Sequence, residues 1–128
     1  MSMKFTRLCL AVCCAVVLQS AVAESVEEYK ARMDAAQDLK DEITDTLAAR
    51  SFADVTRASG ELVKFSEQEE RHWAALKRAD ALALARQATA AAKQLNAASV
   101  KSDSAAASGA FDALNKTCTS CHDLHPEK

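Results

Sequence analysis

The chain has 128 residues, with 16 Lys and Arg against 18 Asp and Glu and a formal net charge of −2. This length fits one domain, and the mildly acidic balance argues against nucleic acid or an anionic membrane as the main partner. Only 2 glycines and 1 proline occur in a sequence rich in Ala, Leu, Lys, Arg and Glu, which predicts an all-α fold.

The N-terminal residues are typical of an export signal. Lys4 and Arg7 precede an apolar stretch that ends at Leu18, and Ala-Val-Ala then supplies the small-x-small pattern of a cleavage site. We therefore expect residues 1–23 to be removed, leaving a periplasmic domain of residues 24–128. The apolar stretch is shorter than the roughly 20 residues that cross a bilayer, so we expect no membrane insertion after cleavage.

The first two helices are predicted from capping patterns and apolar spacing. Ser25 and Glu28 form a capping-box pattern that opens a helix to about Arg50, and Ser51 with Asp54 opens the second helix. The inward stripe of the first helix comprises Val26, Tyr29, Met33, Ala36, Ile43 and Leu47, and that of the second comprises Phe52, Val55, Leu62 and Phe65.

The end of the second helix carries no glycine or proline signal. We place the turn in the charged segment 66–71, so that a third helix begins near His72, reaches about Ala98 and carries Trp73 inward. A turn at residues 78–80 is the alternative. The charge runs 38–42 and 67–71 are interpreted as solvated helix faces, either of which can guide a partner, and His72 is expected on the surface.

A polar linker over residues 99–104 precedes the last helix, which Asp103 or Ser104 can cap and which is expected to end near Leu124, before Pro126. One face of this helix carries Ala107, Phe111, Leu114, Cys118, Cys121 and His122. Four amphipathic helices with short connections predict an antiparallel up-down-up-down four-helix bundle.

The chemistry is concentrated at residues 118–122. Three of the 5 cysteines lie in the predicted signal, so Cys118 and Cys121 are the only thiols left after processing. Helical spacing puts both sulfurs and the imidazole of His122 on one side, where two thiols can bind the vinyl groups of one covalent haem c while the histidine ligates its iron. Export agrees with this interpretation, because c-type haem is attached outside the cytoplasm.

Two alternatives remain for this cysteine pair. A thiol redox pair is one, although such motifs normally lie at a helix N-terminus, where the thiol pKa is lowered. A zinc site of Cys118, Cys121, His122 and His125 is the other, although four ligands within eight residues of a helix are strained into a tetrahedron.

Four features of the sequence carry a resemblance to a known family: the attachment pattern near the C-terminus, the export signal, Trp73, and the stripe Phe111, Leu114, Cys118, Cys121 and His122. Together they resemble the class II c-type cytochromes, the cytochrome c-prime family. The resemblance implies a four-helix bundle with haem on the C-terminal helix, and it allows a homodimer. The family usually continues with an aromatic and then a basic residue, whereas this chain has Asp123 and Leu124. His125 can take part of that role, although a histidine at a helix C-terminus is commonly a solvated partner of the helix dipole.

Met33 is the candidate for the second axial ligand. It is the only methionine outside the predicted signal, and an antiparallel bundle brings the start of the first helix beside the end of the last. A methionine on an apolar stripe is also commonly a packing residue. The resemblance favours ligation, because low-spin members of the class take their methionine from this part of the first helix.

These observations predict a periplasmic single-haem electron carrier that exchanges electrons with redox partner proteins and is not itself an enzyme. Methionine and histidine ligation raises the haem potential, as in electron-transfer cytochromes. The alternative is a five-coordinate haem protein that binds nitric oxide or carbon monoxide, with Met33 only packing nearby.

Overall fold

The computed structural model describes residues 23–126, which form four α-helices and no strand. The helices are α1 (Val26–Ala48), α2 (Phe52–Ala75), α3 (Ala79–Val100) and α4 (Ser104–Leu124). The all-α prediction and the number of helices are therefore confirmed. The predicted signal peptide lies outside the described residues, apart from Ala23.

Local capping sets the helix starts at α1 and α4 as predicted. Ser25 Oγ accepts from the Glu28 amide at 3.1 Å, while Glu28 Oε2 accepts from the Ser25 amide at 2.8 Å, which completes a capping box. Asp103 Oδ1 accepts from the Ala106 amide at 3.0 Å. At α2, Ser51 is the N-cap residue but makes no side-chain cap bond, and its hydroxyl instead donates to Asp54 at 2.5 Å.

The turn between α2 and α3 corrects one prediction. The segment 66–71, where we expected the chain to fold back, is helical, and the turn lies at residues 76–78, next to the alternative considered. His72 therefore belongs to α2 and does not open the third helix. The physical reason is that Ser66, Glu69 and Trp73 follow helical spacing and are all buried, so they extend the inward face of α2 by two turns.

Each turn between helices contains one residue with a positive φ value. Arg50, Lys77 and Ser102 have positive φ values of 57°, 55° and 53°, the left-handed conformation that commonly ends a helix with glycine. Here non-glycine residues adopt it, at a typical strain of about 1 kcal/mol each.

Small side chains dominate the core, which lets the helices approach closely. Most of the core belongs to one cluster, which includes Ile43, Val55, Leu62, Leu95 and Leu114 together with many alanines. A smaller cluster is built on Trp73, with Ala81 and Ala85. Packing around a shared core is consistent with a four-helix bundle. Val26, expected on the inward stripe, is exposed.

The helices do not pack equally. α3 packs extensively against α2 and α4, and α1 packs mainly against α2. A polar seam joins α2 to α3, where Asn96 Nδ2 donates to the Thr56 carbonyl at 2.9 Å and Ser99 Oγ lies 2.8 Å from Thr56 Oγ1. α1 and α4 scarcely touch, which leaves a gap between the first and last helices.

Within residues 23–126, every helix is too short or too polar to cross a bilayer.

Candidate functional site

The last turns of α4 present the two cysteines and the histidine of the 118–122 pattern. Cys118 and Cys121 are both half-buried free thiols, whereas His122 is exposed. Cys118 packs against the main core cluster. The spacing of three and four residues along α4 therefore places these groups on neighbouring positions of one helix face, as the sequence predicted.

An apolar cleft opens beside these residues. Met33 from α1 lines the same cleft as Cys118, Cys121 and His122 from α4. The structure thus brings all four predicted site residues to one place, although most of the described chain separates Met33 from the other three.

α2 and α3 supply the remaining walls of the cleft. Phe65, Glu69 and Trp73 line it from α2, and Leu84, Ala85 and Ala88 line it from α3. Two of the three α3 residues are small alanines, and α1 and α4, which also line the cleft, scarcely touch each other. Glu69 is the one carboxylate in an otherwise largely apolar lining.

Burial controls the chemistry of both thiols. Removal from water raises the pKa of Cys118, and it also raises the pKa of Cys121, to which the neighbouring Cys118 adds. Both groups are therefore neutral thiols near pH 7. A lowered pKa, the mark of a reactive redox thiolate, is not found at either position.

Glu69 is the residue that sequence reasoning missed. The run 67–71 was expected to be a solvated face, but Glu69 is only 6% exposed. Its carboxylate accepts hydrogen bonds from Trp73 Nε1 at 3.1 Å, from Tyr29 Oη at 3.3 Å and from Arg32. The available signal was its position, four residues before Trp73 on the inward side of α2.

Arg32 links Glu69 to the N-terminal end of the described chain. Its guanidinium also donates to both carboxylate oxygens of Glu24, at 2.8 and 2.6 Å, and lies over the rings of Tyr29 and Phe65 at 5.0 and 5.5 Å. The bond from Arg32 lowers the pKa of Glu24. This ion-pair group therefore forms a polar wall beside the cleft, with Glu69 as the member that lines it.

His72 was expected on the surface, and the structure places it in a half-buried position. The ring stacks on Tyr29 at a centroid distance of 4.8 Å, and Nδ1 lies 3.3 Å from Glu24 Oε2. Partial burial lowers the pKa of His72 more than the nearby Glu24 raises it. His72 is not among the residues lining the cleft.

His125 lies inside the fold and not in solvent as a dipole partner. Its side chain is 9% exposed and packs on Trp73 at a centroid distance of 5.0 Å. Nδ1 lies 3.1 Å from Arg78 Nη2, and Nε2 lies 3.1 Å from Asp80 Oδ2. A hydrogen bond from the Ala81 amide lowers the pKa of Asp80, and the nearby charge of Arg78 adds to this.

The zinc alternative needs His125 beside the thiols, but its ring contacts Trp73, Arg78 and Asp80. Across the described part of the chain, no group of three or more His, Cys, Asp or Glu side chains is arranged to hold a metal ion.

Comparison with known protein families, with curated proteins and with solved structures finds no match to this chain.

Proposed function

We propose that this protein is an exported one-electron carrier with one covalent haem c. Cys118 and Cys121 would hold the haem through thioether bonds, and His122 and Met33 would be its axial ligands. The observation that carries the proposal is that one apolar cleft is lined by all four of these side chains.

The residues around the cleft fit such a group. Both cysteines are free, neutral thiols on one helix face with a histidine directly after them, which is the donor set of c-type attachment. Trp73 and Phe65 offer aromatic surfaces to a flat apolar ring. When bound, the haem supplies an iron that changes its charge by one electron at a time.

An antiparallel order of the helices is part of the proposal. Glu42 and Arg57 form an ion pair close to the turn at residues 49–51, whereas Arg32 and Glu69 pair farther from it on the same two helices. This succession of contacts is expected for adjacent antiparallel helices. It supports an up-down-up-down bundle with the start of α1 next to the end of α4.

The residues of the chain have distinct tasks in electron transfer. The apolar walls exclude water, which limits reorganisation when the charge of the iron changes. The contacts of His125 with Trp73 and Asp80 fix the end of α4, three residues after His122. Because His122 and its neighbours Thr119 and Ser120 are exposed, an edge of the site is accessible to redox partner proteins.

The thiol redox alternative is less favoured by these observations. Burial raises the pKa of both cysteines, whereas redox pairs need a stabilised thiolate. The motif also lies at the C-terminal end of α4, where the helix dipole disfavours negative charge.

The proposed haem, its attachment near the C-terminus and the predicted export signal together support membership of the class II c-type cytochromes. Export to the periplasm follows from the same proposal, because attachment of c-type haem and the signal pattern of residues 1–23 point to one compartment.

Visible spectroscopy of the protein exported from cells that express the full-length chain tests the proposal. A denaturing gel stained for haem should show covalent haem, and a variant with Ser at both Cys118 and Cys121 should lose it. Carbon monoxide should leave the spectrum of the reduced protein unchanged. Absence of covalent haem overturns the proposal, and an immediate Soret shift with carbon monoxide replaces the carrier with a gas-binding haem protein.

A further inference from the structure

A buried carboxylate stands on the wall of the proposed haem cleft. Glu69 lines the cleft and is 6% exposed, and it receives bonds from Trp73, Tyr29 and Arg32. Since several donors hold the ionised form, the side chain carries a fixed negative charge where water cannot screen it.

The positive charge of Arg32 does not cancel this group. Arg32 is shared between Glu69 and Glu24, so two carboxylates face one guanidinium and one negative charge is left over. His72 adjoins Glu24 but is the neutral imidazole at pH 7, because partial burial disfavours its charged form. The group of Glu24, Arg32 and Glu69 therefore keeps one net negative charge, and Glu69 is the member that faces the cleft.

We propose that Glu69 is a positioning residue that lowers the reduction potential of the haem, by holding a negative charge at the cleft and by fixing Trp73 and Arg32 around it. This inference rests on the proposed function. Oxidised haem iron carries one more positive charge than reduced iron, so a fixed negative charge at its pocket favours the oxidised state.

Glu69→Gln tests the charge with little change of shape. At a fixed applied potential, the ratio of reduced to oxidised protein should rise about three- to tenfold, equivalent to about 30 to 60 mV. Glu61→Gln is the matched control, because it removes the same charge from an exposed position on α2, about 12 Å earlier along the helix. The control should leave the ratio nearly unchanged.

Tyr29→Phe separates the charge from a merely structural role. It removes the hydroxyl that donates to Glu69 and leaves the carboxylate less compensated, so the ratio of reduced to oxidised protein should fall. A residue that only held the wall together would shift both variants in the same direction, because either loosening would admit water. Opposite signs are therefore the expected signature.

Haem staining is carried out first on every variant. If the unchanged protein lacks covalent haem, the proposed function fails. If it holds haem, and Glu69→Gln behaves like Glu61→Gln or shifts in the same direction as Tyr29→Phe, the inference about Glu69 is wrong. Should Glu69→Gln fail to accumulate with haem, Tyr29→Phe decides alone, and a ratio that does not fall overturns the inference.

Discussion

The ring of His125 packs on the indole of Trp73, with centroids 5.0 Å apart, and so ties the C-terminal end of α4 to the end of α2. Arg78 Nη2 lies 3.1 Å from Nδ1 of the same imidazole, and Asp80 Oδ2 lies 3.1 Å from Nε2. Because Arg78 can only donate, Nδ1 is the acceptor in its contact with Arg78. The helix that bears the proposed attachment site is thus anchored just after its last residue.

His125→Ala should lower the free energy of unfolding of the haem-free chain by about 1 kcal/mol, through loss of the ring contact with Trp73. Urea unfolding followed by circular dichroism measures this change. His122→Ala, one turn earlier and exposed, is the control and should change the free energy by less than about 0.5 kcal/mol. Equal effects of the two substitutions would show that His125 is not an anchor.

Met33→Leu should convert the proposed six-coordinate haem into a site open to gases. Leucine keeps the packing volume on α1 but has no sulfur lone pair, so the far-red sulfur-to-iron band of the oxidised protein should vanish and carbon monoxide should bind. Absorption spectra of both oxidation states measure these changes. If Met33 only packs against the cleft, Met33→Leu will leave the spectra as they are.

Alkaline pH should destabilise the haem-free chain. The folded-state pKa of Cys118 and Cys121 lies above the ordinary thiol value of 9.0, so unfolding becomes easier as the unfolded thiols ionise. The stability that the two neutral thiols contribute is complete below pH 9, and it is lost as the pH rises through their folded-state pKa values. Unfolding curves from pH 8 upward measure the loss.

The control for the alkaline experiment is the chain with Ala at positions 118 and 121. This variant lacks both thiols and should lose less stability over the same range. The protein with the proposed haem attached should also lose less stability than the haem-free chain, because a thioether has no proton to lose. An equal alkaline loss in all three forms would assign the effect to other groups.

Mild acid should act through His72. Its folded-state pKa is lowered from 6.5, so the unfolded chain binds the proton more readily and stability falls as the pH drops below about 6.5. His72→Gln should show a flatter stability profile between pH 7 and 5. Glu24, whose pKa is also lowered, loses its contribution only below its ordinary 4.5, so the two effects occupy separate pH windows. Identical profiles of stability against pH for the unchanged chain and for His72→Gln would contradict the role of His72.

The helices were predictable where their signals are local. The capping box of Ser25 and Glu28 and the cap at Asp103 involve side chains within three residues of each other, so the sequence alone contains them. The turn after α2 has no such signal. Lys77 adopts the left-handed conformation that glycine normally adopts, and a lysine in the sequence does not predict this conformation. The prediction of a turn in the segment 66–71 therefore rested on composition alone, and it is wrong.

The polar wall of the cleft could not be predicted for a different reason. Glu69 is buried because Arg32 and Tyr29 come to it from α1, across 37 and 40 positions of sequence. The cysteines and His122, by contrast, lie within one local pattern. Met33 was placed near them only by assuming a helix topology, and the cleft now shows these groups lining one cavity.

The sparse contact between α1 and α4 has a consequence for the proposed attachment of haem. α1 packs mainly against α2 and scarcely against α4, so its detachment would break fewer helix contacts than that of any other helix. Its detachment would uncover Cys118 and Cys121 while the other helices stay packed. The α1 side of the bundle is therefore the side from which we expect the proposed haem to reach the two thiols.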